Sequence, residues 1–178
     1  MKNFLCCTLG ILTVLAAGCY TPPPVTSYTN PITGLRTDLI GENLLDTVEP
    51  SREMIWLNAS RVFKNRETSV YYLEVHYAAR SETGYLDINP GQSLTIVADG
   101  QEIKLAGIGS LNTRKTGDGL VHEDAIYEAS ASDLSALAYA KKATVKIKGQ
   151  NGLVIREVAQ QNFDRFKAFL DQSTTAVK

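Results

Sequence analysis

Asp99-Gly100, set between two alternating apolar runs, constrains the fold of this chain more than any other feature. Asp-Gly supplies the two positive-φ positions of a type I′ turn, whose twist matches that of antiparallel strands. A two-residue loop then fixes the register over residues 93–106, pairing Ala98 with Gln101, Ile96 with Ile103 and Leu94 with Leu105. Thr95 falls opposite Lys104 and Val97 opposite Glu102, so one face is apolar and the other mixed. A lone hairpin is marginal in water, and this one requires a larger antiparallel sheet to join.

Candidates for that sheet flank it. Residues 54–63 and 69–77 are rich in β-branched and aromatic side chains and both alternate. Tyr71, Leu73, Val75 and Tyr77 share a face that matches Ile55, Leu57, Ala59 and Phe63, with Arg61 interrupting it. Pairing the apolar faces demands an odd-numbered loop of three or five residues within 64–68, because a one-residue slip would bury Glu74 and His76 instead. Residues 113–119, with Gly117-Asp118-Gly119, read as a loop, and 120–129 as a returning strand. Ser130 can cap a helix with Asp133 at the third position, and Leu134, Leu137 and Ala138 form its apolar stripe. A further hairpin spans 143–158 about Gln150-Asn151-Gly152. An Asn-Gly turn sets Ile147 against Arg156, and a three-residue loop sets it against Ile155. A last helix carries Phe163, Phe166 and Leu170 on one stripe. The expected fold is α+β: a mainly antiparallel β-sheet or sandwich of about seven strands with two packed helices.

The amino terminus has a different character. Lys2 precedes an uncharged run from Phe4 to Ala17, of signal-peptide size and too short to span a bilayer, ending Ala16-Ala17-Gly18-Cys19. This stretch resembles the lipobox of bacterial lipoprotein precursors. The resemblance implies cleavage after Gly18, diacylglycerol on the Cys19 sulfur and an acyl chain on its new amino group. Tyr20 stands where an aspartate would mark inner-membrane retention in enteric-type lipoproteins, so for a Gram-negative envelope it implies the outer membrane, facing the periplasm. The expected organisation is a signal peptide over 1–18, a lipid-anchored tether over 19–50 opened by Pro22-Pro23-Pro24, one β-rich domain over 51–172, and a frayed tail over 173–178. Leu39-Ile40 and Leu44-Leu45 interrupt the tether and suggest a short helix or a segment docked on the domain.

Of the three cysteines, Cys6 and Cys7 leave with the signal and acylation consumes Cys19, so the core alone must hold the fold. Loss of Lys2 moves the net charge from −1 to −2, which offers no basic field for nucleic acid. Gly91-Gln92-Ser93 begins like a hydrolase nucleophile elbow but leads into a strand, and Gly107-Ile108-Gly109 is an incomplete dinucleotide fingerprint. Asn58-Ala59-Ser60 is a glycosylation sequon by pattern only. His122-Glu123-Asp124 is the nearest approach to an acid-base or metal cluster, with His122 and Asp124 on one strand face and Glu123 on the other. It does not make a ligand set, so no metal, cofactor or catalytic residue is assigned.

The candidate binding face is the even side of the first strand pair, where Trp56, Asn58, Ser60 and Val62 stand beside Tyr72, Glu74 and His76. Aromatic and hydrogen-bonding groups on a rigid sheet suit recognition of an envelope protein or glycan. Set against this, Trp56 and Tyr72 could lie under a helix or under the 36–50 segment. Two functions follow: a non-catalytic binding or assembly module held at the membrane by its lipid, or an envelope hydrolase acting on cell-wall or lipid substrates. The sequence favours binding, since recognition needs only a surface.

Overall fold

The computed structural model describes residues 25–47, 52–65 and 68–175. Gly18, Cys19 and the signal segment lie outside the described residues, as does the end of the expected tail. In chain order the elements are β1 (Thr26–Thr29), β2 (Arg36–Ile40), β3 (Asp46–Thr47), β4 (Glu53–Phe63), β5 (Ser69–Arg80), β6 (Gly91–Ala98), β7 (Gln101–Gly107), β8 (Leu111–Lys115), β9 (Leu120–Ala129), α1 (Ala131–Ala138), β10 (Ala143–Gly149), β11 (Gly152–Glu157) and α2 (Gln160–Thr175). The class is α+β with a mainly antiparallel sheet, and the described residues form eleven strands where about seven were expected.

One sheet runs in the order β1-β2-β4-β5-β9-β7-β6-β10-β11-β3, with β8 added beside β9. It also closes on itself. The Leu45 N–H donates to the Ile55 carbonyl at 2.8 Å and the Leu57 N–H to the Asn43 carbonyl at 3.0 Å, tying the 43–45 segment to β4. Immediately afterwards β3 pairs with β11 through Asp46–Glu157 and Thr47–Arg156. The chain between β2 and β3 thus changes partner within a few residues, at a bend where Glu42 takes φ 59°. Closure leaves β4 and β11 without bare edges there.

This corrects the expected tether over 19–50. Residues 26–47 are three strands of the sheet, not a spacer, and Leu39-Ile40 and Leu44-Leu45 belong to it. Ile40 and Leu45 are buried in the same core as Ile55 and Leu57. Hydroxyl-rich segments look unable to pack when read alone, but here the neighbouring strand supplies the apolar surface. Residues 113–115 of the expected 113–119 loop likewise belong to β8, which pairs with β9, and 116–119 turn.

The two hairpin registers fared differently. Around Asp99-Gly100, with φ 48° and 89°, every expected pair is present. β4 and β5 join through a five-residue loop, with Ile55 opposite Tyr77, Leu57 opposite Val75 and Ala59 opposite Leu73. For β10 and β11 both expected registers are wrong: Gly149 pairs with Gly152 around Gln150-Asn151, and Ile147 faces Val154. The 86–89 segment decides this, since Gln150 donates to the Asp87 carbonyl and Asn151 to the Leu86 carbonyl. A Cβ on Gly149 would stand 2.1 Å from the Leu86 carbonyl oxygen, so only glycine fits.

Both helices lie on the inner side. Ser130 and Asp133 form the capping box, and Leu134, Leu137 and Ala138 are buried. On α2, Phe169 is fully buried beside Phe163 and Phe166, while Leu170 of the expected stripe is only partly covered. The Asn162 amide donates to the Leu44 carbonyl at 2.7 Å and Arg165 to the Glu42 carbonyl at 2.9 Å, strapping α2 to the bend. Arg61, which interrupts the apolar face of β4, is buried there and meets Asp38 at 2.7 Å, with its guanidinium over the Phe63 ring.

Candidate binding face

Strand alternation creates the site. Because Ile55, Leu57 and Ala59 point inward, Trp56, Asn58 and Ser60 must point out. The five-residue loop then sets Trp56 opposite His76, Asn58 opposite Glu74 and Ser60 opposite Tyr72. All six are half-buried. The helices do not cover them, since α2 places Phe169 against Tyr71 on the inner face. Nor does the 36–45 segment lie over them, because it pairs edge-on with β4 inside the sheet.

A groove of about 380 Å³ opens on this face. Its floor includes Asn58, Ser60, Tyr72 and Glu74; Leu39, Val62 and Ile126 give it apolar walls, and Tyr28 of β1 forms its far rim. The Asn58 carbonyl oxygen already accepts the Asn43 N–H at 3.2 Å, which holds the side chain in place. Trp56 stands beside the groove with its ring 5.1 Å from the His76 ring.

The second strand pair brings in the rest. β5 pairs with β9 so that His76 faces Asp124, and His76 Nδ1 lies 2.5 Å from Asp124 Oδ1. His122 stacks on His76 with 5.4 Å between ring centroids. Arg114 of β8 reaches the other Asp124 oxygen at 3.3 Å. Burial alone would raise the Asp124 carboxyl, but the His76 hydrogen bond and charge, helped by Asn112 and Arg114, hold it below its ordinary range. Burial pushes the His122 imidazole down, with Arg114 and His76 adding to the effect. Glu74 goes the other way: burial raises its carboxyl, and the Asp124 charge reinforces the shift.

The sequence reading of 122–124 thus holds for the faces, with Glu123 turned inward. Its carboxylate, fully buried, accepts the N–H groups of Leu86, Asp87 and Ile88 and the Ser110 hydroxyl. What the sequence did not reveal is that β5 and β9 are neighbours, which joins His76 to the cluster. Among the described residues, no three His, Cys, Asp or Glu side chains are placed to hold a metal ion. Ser93 is buried against the Tyr127 hydroxyl at 2.9 Å, so the nucleophile-elbow pattern is part of the core. A Cβ on Gly107 would strike the Ile126 carbonyl oxygen at 2.7 Å, which accounts for that glycine by packing.

No protein-family model, curated protein or solved structure matches the chain.

Proposed function

We propose that this protein is a lipid-anchored lipoprotein of the cell envelope that acts as a non-catalytic binding module. It takes a partner, a protein or a glycan of the envelope, on the outer face of β2, β4, β5 and β9. The observation that carries the reading is the groove: concave, largely apolar, bordered by aromatic rings and supported by a closed sheet. The membrane anchor and outer-membrane placement rest on the lipobox resemblance at Gly18-Cys19.

The hydrolase reading has one observation in its favour, the hydrogen bond between His76 and Asp124. Among the described residues no free nucleophile stands against that pair. The hydroxyl nearest the histidines, Thr116 Oγ1, lies 3.4 Å from His122 Nε2 but donates to the Asp118 carboxylate.

The test is a photo-reactive residue at position 72 of the full chain in its native envelope, with the same residue at the exposed Ile108 as control. A discrete adduct formed from position 72, absent from position 108 and weakened by Asn58→Ala, is expected. Equal labelling from both positions, or none from position 72, overturns the reading. Cys19→Ser should lower the yield if the anchor delivers the domain to its partner.

A further inference from the structure

We propose that the group held in the groove is a lysine side chain of an extended protein segment, with its ammonium at Glu74 and a neighbouring apolar side chain along Leu39 and Val62. This rests on the binding reading above and supplies its chemistry.

Among the described residues that line the groove, Glu74 alone is charged, and none is a lysine or arginine. Buried carboxylates elsewhere in this part of the sheet are engaged: Asp124 on the same face by His76 and Arg114, Asp38 on the inner face by Arg61, and Glu123 on the inner face by backbone N–H groups. Among the described residues Glu74 has neither a hydrogen bond nor an ion pair, although it is half-buried. His76 beside it supplies a partial attraction that burial and the Asp124 charge outweigh, and a cation at the carboxylate returns free energy that its withdrawal from water costs. Anions are disfavoured by Glu74 and by Asp124 behind it.

The walls select the remainder of the ligand. Leu39, Val62 and Ile126 offer carbon to an apolar side chain, while the Ser60 and Tyr72 hydroxyls on the floor can meet the backbone of an extended peptide. The groove runs from β1 across β2, β4 and β5 to Ile126 of β9, four strand spacings or about 19 Å. That exceeds one lysine, whose aliphatic stem can lie on the apolar wall. Alternate side chains of an extended peptide stand about 7 Å apart, so a lysine and an apolar residue two positions away both fit. Tyr72 beside Glu74 adds an aromatic face for the ammonium.

The probes are acetyl-Leu-Ala-Lys-amide and its norleucine counterpart, titrated into the full chain while amide NMR shifts are followed at Asn58, Ser60, Tyr72 and Glu74. Fluorescence of Trp56, the only tryptophan, gives a second readout. Shifts confined to the groove are expected, with the norleucine peptide weaker by about fivefold. Glu74→Gln should erase that difference while leaving the fold unchanged. Equal binding of both peptides, or a lysine preference that survives Glu74→Gln, overturns the proposal. So does hexylammonium binding as tightly as the lysine peptide, which would make the site one for free amines. If no probe moves the groove while position 72 still labels a partner, this inference falls and the binding reading stands.

Discussion

Glu123→Gln puts the largest quantitative demand on the structure. The Glu123 carboxylate is fully buried and receives three backbone N–H groups and one hydroxyl. Hydrogen bonds to a charged group contribute about 1.5–3 kcal/mol each, and a buried donor left unpaired costs about 1–3 kcal/mol. Glutamine keeps one oxygen for Leu86 and Asp87 and turns an NH2 group toward Ile88 and Ser110. The Ser110 hydroxyl oxygen, 2.7 Å from the Ile88 N–H, can accept from both. The loss is then chiefly the charge, about 2–3 kcal/mol in all. Glu123→Ala strands the N–H groups in a dry site and should cost about 4–5 kcal/mol. Urea unfolding followed by circular dichroism reads this directly: with a slope of about 1–3 kcal/mol per molar, the glutamine variant's midpoint should fall by about 1–2 M. Glu128→Gln, on the exposed side of the same strand, should stay within about 0.5 kcal/mol of wild type. A Glu123→Gln loss under about 0.5 kcal/mol would refute the argument that this carboxylate fastens the 86–88 segment.

Asp38→Ala leaves the Arg61 guanidinium buried without its main counter-charge and should cost about 3–5 kcal/mol in the same assay, whereas exchanging both residues for apolar ones should cost much less. Gly149→Ala drives a methyl group into the Leu86 backbone; a loss of about 2 kcal/mol or more is expected, and a neutral result would show that 86–89 does not pack there. His122 titrates below its ordinary 6.5 in the folded protein, so its contribution is complete above that value. As pH falls the unfolded chain takes the proton first, and stability drops from about pH 6.5 down through the folded value. A His122→Gln chain should lack that slope in unfolding midpoints measured across pH 5–7. The Asp124 contribution persists to lower pH, because its folded value lies below 3.8, and vanishes as pH falls through it.

What the sequence made legible follows from the range of the interactions involved. The Asp99-Gly100 hairpin, the Ser130 capping box and the odd loop between β4 and β5 are each decided within about twenty residues, and all three appear as read. The even face was readable for the same reason, since period-two alternation fixes it once the inner face is known. The errors are of longer reach. β1 to β3 have little apolar content of their own and become strands because β4 and β11 offer them backbone groups. Arg61 looked like a flaw in an apolar face because Asp38 is 23 positions away. The turn at Gln150-Asn151 is set by Leu86 and Asp87, and His76 meets Asp124 across 48 positions. No local pattern encodes either meeting.

The bend at Gly41-Glu42 has a consequence for assembly in time. By passing from β4 to β11 it makes the first strands depend on the last, and Asn162 on α2 fastens Leu44 across 118 positions. A chain delivered amino terminus first cannot complete its sheet until β11 and α2 have emerged. The cost of closing so long a loop falls late in folding and slows it. Until then β3 is without its partner β11 and Leu44 without Asn162, so this domain has most need of protection from its neighbours during its own synthesis.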